Sequence, residues 1–306
     1  MATAREIRRR IRSVKNISQV TRALEAVSAS KLRRAQAQVL ATRAYAEASW
    51  RVLHHLAGQT AMGGEMHPLL AQRPEVAKVS IVLLTSDRGL CGAFNHNVIR
   101  TALDFIDQLG RPVELITVGR KGRDLMLRLG KEIVAEFTHL PDSPSFIEIS
   151  PIAQTAIEDF LRGEVGEIFL AYTDFVNSLR QVPAVKRLLP LRPTELETQV
   201  AAEYVQDVVI EPVSDYLYEP SPEVILEAAL PRFTQLQVYQ ATLESLASEH
   251  AARMVAMRNA TENAEELVDD LTLSYNKARQ QAITNEILDI AGGAEALAQS
   301  RNQRAR

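Results

Sequence analysis

One cysteine, Cys91, is all that the 306 residues contain. That excludes an internal disulfide and any site built from several thiolates, and it suits a reducing compartment. Aromatic residues are scarce at 5%. No apolar run approaches the roughly 20 residues a helix needs to cross a bilayer, so direct bilayer insertion is not expected and any membrane attachment would pass through other proteins. Charge is nearly balanced, at −3 with a pI near 6.1. A general nucleic-acid binder needs a net basic face to neutralise phosphate, so that class is set aside. Neither GxGxxG nor GxxxxGK[ST] occurs, and the histidines (His54, His55, His67, His96, His139, His250) show no HExxH or similar spacing. No metal, no cofactor and no catalytic residues are expected from these patterns.

Pro and Gly are missing from Thr3 to Leu56, while Ile7, Ile11, Val14, Ile17, Val20, Leu24 and Val27 recur at steps of three and four. This spacing predicts one long helix. At ~1.5 Å per residue it would extend for roughly 75 Å, too long to bury an apolar stripe without a partner. Basic residues run from Arg5 through Lys31, Arg33 and Arg34 to Arg43, opposed before Arg34 only by Glu6 and Glu25. A solvated face is the plain reading, and an acidic partner is the other.

Gly58, Gly63, Gly64, Pro68 and Pro74 break the pattern, and β-branched runs then alternate with helical stretches. Val79–Leu84, Val113–Val118, Glu132–Phe137 and Glu167–Tyr172 read as strands. Asn95–Leu109, Lys121–Leu129 and Ile147–Arg162 read as the helices between them. A βαβ series of this kind predicts a mostly parallel, Rossmann-like α/β domain over 76–190. Phe175–Arg180 and Val182–Leu189 are expected to add an antiparallel edge, and 191–220 to form a polar connector and foot.

From Pro222 to about Ala291 the helical pattern resumes, with Pro231 as the one breaker near its start. Leu236, Leu243, His250, Met257, Ala264, Leu271 and Ala278 fall seven apart, with Ala247, Met254, Val268, Tyr275 and Ala282 on the same face. A sustained period of seven implies a left-handed supercoil. The stripe is rich in small residues, as are Ser18, Ala26, Ser28, Ala35 and Thr42 of the first helix. An α/β domain inserted between N- and C-terminal helices (1–57 and 221–297) that pair as an antiparallel coiled coil is therefore expected.

Two further patterns invite chemistry. Ser86-Asp87-Arg88-Gly89-Leu90-Cys91-Gly92 follows the first strand, where α/β proteins place ligand loops. A structured turn with an exposed contact surface fits it better than a phosphate loop, and Cys91 lacks neighbours that would activate it, His96 apart. Gly119-Arg120-Lys121-Gly122-Arg123 reads as a solvated helix start. Arg279 and Gln280 share a helix surface with Ile283 and Thr284.

Several blocks resemble the gamma subunit of the F-type, proton-transporting ATP synthase. They are Arg5-Glu6-Ile7-Arg8, Ser13-Val14-Lys15-Asn16, Ala29-Ser30-Lys31-Leu32-Arg33, the Asp87–Gly92 loop, Tyr216-Leu217-Tyr218-Glu219-Pro220, Ser248 through Met257, and Tyr275-Asn276-Lys277-Ala278-Arg279-Gln280. The resemblance implies a central rotor shaft that couples proton-driven c-ring rotation to changes in the catalytic β subunits. It implies a non-catalytic role, and α and β subunits of the hexamer, the epsilon subunit and the membrane c-ring as partners. By the same resemblance Leu24, Lys31, Arg33, Arg34, Asp87, Arg88, Arg279, Gln280 and Thr284 would contact β, while Tyr216 and Glu219 would meet the c-ring. A peripheral place on the cytoplasmic face of a bacterial plasma membrane follows. Photosynthetic members carry an inserted segment, some with a redox dithiol, where Leu191–Val213 falls; this chain has neither, so that redox control is not expected. Pro231 and residues 298–306 depart from the family pattern. An α/β enzyme with helical oligomerisation arms and a self-dimerising scaffold are the rival readings.

Overall fold

The computed structural model describes residues 3–60, 67–73, 77–191, 219 and 221–304. The chain forms two compact units, Met1–Ala26 with Val255–Arg306, and Val27–Met254. Helix α1 covers Ala4–Thr60, and the last helix, here α5, covers Pro222–Arg304. The latter outruns the stop expected near Ala291, passing through Gly292 and Gly293 as it passes through Pro231. Between them lie β1 (Val79–Leu84), α2 (Phe94–Leu109), β2 (Val113–Val118), α3 (Arg120–Arg128), β3 (Glu132–Phe137), α4 (Phe146–Arg162), β4 (Glu167–Phe175) and β5 (Gln181–Leu189).

In the first unit, α1 and α5 pair antiparallel. Arg22 meets Glu265 at 2.5 Å, and Glu25 meets Arg258 at 2.9 Å, so partner numbers on α5 fall as those on α1 rise. The seam buries Ile7, Ser18 and Thr21 on one helix and Met257, Thr261 and Ala264 on the other. This corrects the apolar stripe expected on α1: Ile17 and Val20 are exposed, and so is Ala26, expected among the small seam residues. Burial follows the repeat 7–11–14–18–21, which alternates steps of four and three, whereas the successive three-residue steps Val14–Ile17–Val20 turn off that seam.

The second unit is built on a five-stranded sheet in the order β3-β2-β1-β4-β5, parallel except for the β4–β5 pair. Central position explains why β1 is buried at every residue, because helices cover both faces. Ile81 and Leu83 point to one layer with Val98, Ile99 and Met126, from α2 and α3. Val82 and Leu84 point to the other, with Ile149, Ile152 and Phe160 of α4 and Leu230, Phe233 and Tyr239 of α5. Helix α4 starts where Glu148 Oε2 accepts from the Ser145 backbone N–H at 2.7 Å and its hydroxyl at 2.8 Å, the reciprocal contact of an S-x-x-E start. Small residues let helices approach in this unit too, where Leu32 and Ala35 pack with Ala247 and Ala251.

One expected strand is absent. Only Phe175 of Phe175–Arg180 belongs to β4, and residues 176–180 form the hairpin turn. Asn177 Oδ1 accepts from the Leu179 and Arg180 backbone N–H groups at 2.9 and 2.8 Å, a side-chain bond that competes with a ladder. Val27, also expected on the buried stripe, is exposed.

Candidate functional site: the contact surfaces

The loop after β1 is held rigid by its own side chains. Asn95 accepts from the Ser86 backbone N–H at 2.9 Å and donates to Cys91 Sγ at 3.2 Å, and the Ser86 hydroxyl donates to the Arg88 carbonyl at 2.6 Å. Leu90 sits at φ 64, in the left-handed region, with its side chain exposed. Burial pushes the Cys91 thiol above its ordinary range despite the nearby Arg253, which leaves it a poor nucleophile. Arg253 of α5 ties the loop down, donating from Nε and Nη2 to the Gly89 carbonyl at 3.3 Å. Nothing in the residue pattern of the loop singled out Arg253, which lies 164 positions away in the chain.

Asp87 is placed differently from a ligand-binding residue. Its Oδ1 accepts from Arg120 N at 3.0 Å and its Oδ2 from His139 N at 2.8 Å, so a carboxylate already occupies the start of α3. The Arg88 side chain is exposed. Among the basic residues of α1, Arg33 and Arg34 are exposed, whereas Lys31 is half-buried and ion-paired with Asp142 at 2.7 Å. Burial alone would raise the Asp142 carboxyl, but Lys31 outweighs it and holds the group below the usual range. Leu24, in the first unit, is half-buried.

On α5 the candidate contacts Arg279, Gln280 and Thr284 are all exposed, with the Thr284 hydroxyl donating back to the Gln280 carbonyl at 3.0 Å. They belong to a longer surface: every side chain from Arg279 to Ala294 is exposed, including Ile283, Ile287, Leu288 and Ile290. Ile283 was expected on this surface from the sequence, whereas Ile287, Leu288 and Ile290 were not singled out, because an apolar residue inside a periodic helix reads as core. Glu219 is exposed, and Tyr216 lies outside the described residues.

No described helix is long and apolar enough to cross a membrane. Among the described residues, no three His, Cys, Asp or Glu side chains are grouped to hold a metal ion.

A parallel α/β domain carried between two long helices, with its distinctive side chains on outward contact surfaces, defines a helical stalk-type subunit. A family model described as ATP synthase matches residues 3–297. The ATP synthase gamma chain of Herpetosiphon aurantiacus is 50% identical over 307 residues, covering 98% of this chain and 100% of that one. That of Chloroflexus aurantiacus is 48% identical over 300 residues, covering 97% and 99%. A chain of the mitochondrial ATP synthase of Euglena gracilis, solved as OSCP/F1/c-ring in rotational state 3, shares the fold with a TM-score of 0.63 at 21% identity, covering 96% of this chain and 94% of that one. The chain belongs to the ATP synthase gamma chain family.

Proposed function

We propose that this subunit is the central rotor shaft of an ATP synthase, coupling proton-driven c-ring rotation to conformational change in catalytic β subunits. The observation that carries the reading is the run Arg279–Ala294, exposed throughout and yet apolar at Ile283, Ile287, Leu288 and Ile290. An isolated helix in water is marginal, and contiguous apolar surface marks a site that another protein covers. A surrounding α and β hexamer supplies that cover. The antiparallel pairing of α1 and α5 within one chain also speaks against a scaffold that would use either helix for parallel self-pairing.

In this reading Arg279, Gln280 and Thr284 meet β by hydrogen bonds and charge, with Leu24 and the exposed Arg33 and Arg34. Lys31 reaches an acidic β segment only by sharing itself with Asp142. Arg88 and Asp87 contact β from the loop after β1, and Tyr216 and Glu219 meet the c-ring. The α/β domain docks the epsilon subunit. Rotation requires that no angle be bound too tightly, so the contacts are many and solvent-screened, each worth roughly 0 to 1 kcal/mol. The subunit itself is non-catalytic, and it works peripherally on the cytoplasmic face of a bacterial plasma membrane.

Arg279→Leu tests the assignment. Purified complexes carrying it are expected to lose coupled ATP synthesis, or to assemble poorly, while the subunit stays folded; normal synthesis rates would remove Arg279 from the coupling surface.

A further inference from the structure

A cavity of about 370 Å³ lies in the second unit, where the carboxyl ends of β1 and β2 face α5. Open α/β sheets bind ligands at this end of their strands. Its wall includes Asp87, Arg88, Arg120, Asp142, Glu249 and His250.

The carboxylates of that wall are already engaged. Both Asp87 oxygens accept from backbone N–H groups. Asp142 is paired with Lys31, and Glu249 with Arg253, each at 2.7 Å. The Thr85 hydroxyl donates to the Val118 carbonyl at 2.9 Å and accepts from Gly122 N at 2.9 Å. Each carboxylate therefore already has a partner within the chain. Three donor groups remain. The guanidinium groups of Arg88 and Arg120, both exposed, donate no hydrogen bond to the described residues, although Arg88 lies near enough to Asp142 to help lower its carboxyl pKa. His250 is 2% exposed and its Nε2 is buried without a partner. Arg253 Nη1 lies 3.4 Å from His250 Nδ1 and can only donate, so Nδ1 accepts and the proton of the neutral ring resides on Nε2. These three donors come from three different elements around one cavity.

We propose that this cavity binds a tetrahedral oxyanion of the phosphate type, held by Arg88, Arg120 and the Nε2–H of His250. Donors arriving from three sides suit three or four oxygens arranged in space better than the two coplanar oxygens of a carboxylate. The site differs from a phosphate loop, since the start of α3 is already occupied by Asp87. It rests on other observations than the rotor reading but shares Arg88 with it: a β contact and the anion compete for that guanidinium, and the free chain used below offers it to the anion alone.

Equilibrium dialysis of the full-length chain against radiolabelled inorganic phosphate, with ionic strength held constant by potassium chloride, tests the proposal. One phosphate per chain is expected, with affinity lowered on the order of tenfold or more in Arg88→Gln and in Arg120→Gln. His250→Phe should also weaken binding. Because that residue is buried and its variant can fail to fold, the decision rests on the two exposed arginines. A parallel series with ADP distinguishes the sources: tighter binding of ADP points to a nucleotide phosphate, tighter binding of phosphate to the free ion, and either supports the site. Absence of saturable binding, or indifference to both arginine changes, would overturn it.

Discussion

Thr21 and Thr261 touch across the buried seam of the first unit, with 2.7 Å between their hydroxyl oxygens. Each hydroxyl also lies within reach of a carbonyl of its own helix, Ser18 at 3.0 Å and Met257 at 2.9 Å. Two protons thus serve three contacts, so one hydroxyl bridges the helices while the other bonds back to its own turn. Polar side chains buried in a helix–helix seam specify register at some cost in stability. Thr21→Val or Thr261→Val alone should destabilise by about 1 kcal/mol, because the surviving hydroxyl loses its neighbour. The double change should cost less than the sum of the two, as measured by urea unfolding in a double-mutant cycle.

Exposed apolar residues give a prediction of the opposite kind. Ile283→Ser with Ile287→Ser should leave the stability of the free chain within about 0.5 kcal/mol, since neither side chain is buried in it. Recovery of the subunit in a purified assembly should nevertheless fall. Unaltered assembly would show that this surface is not covered by partner chains.

His250 sets a pH dependence. Burial, reinforced by the Arg253 and Lys31 cations and only partly offset by Asp142, lowers its pKa from 6.5 to about 4. The folded ring therefore resists a proton that the unfolded chain takes up. Its contribution to stability is complete above pH 6.5 and declines as pH falls towards 4, by about 3 kcal/mol in all. Glu249 works in the other direction, its carboxyl raised by burial despite Arg253, with Asp87 and Asp142 adding to the rise. The measurement is therefore a difference: between pH 7 and pH 4.5, wild type should lose more stability than His250→Gln.

Gly119 permits a close approach that no other residue can. It lies at φ 89, and a Cβ there would stand 2.2 Å from the Thr85 carbonyl oxygen, which belongs to backbone and cannot swing aside. Gly119→Ala should destabilise by more than about 2 kcal/mol. Gly110→Ala, at φ 59 with open space around it, should cost only the strain of the left-handed backbone. Chemical denaturation of both variants checks the contrast.

Much of this architecture is legible from residue periodicity. The β1 to β4 strands fall within a few residues of where their β-branched runs place them; β1, β2 and β4 are buried on both faces and have little freedom in composition, while β3, at the sheet edge, alternates exposed and half-buried residues. The α1 seam is harder to read. Ile17 and Val20 look like core until the 3.5-residue repeat of Ile7, Ser18 and Thr21 is given priority over hydrophobicity. The strand expected at Phe175–Arg180 was displaced by a turn that depends on one side chain, Asn177. Sites assembled from remote positions were not visible at all. Arg253 meets the Gly89 carbonyl, and Lys31 meets Asp142, only because α1, α5 and the sheet come together in the second unit. Family resemblance marks the segments that carry these residues, but it does not state which pairs form.

The uncovered isoleucines near the end of α5 also bear on the life of the molecule before it joins anything. Newly made, it displays an oily strip that other nascent proteins and quality-control proteases can reach. A cell producing it in excess of its partners should accumulate aggregates or degrade the surplus, so its synthesis has to be matched in stoichiometry to theirs.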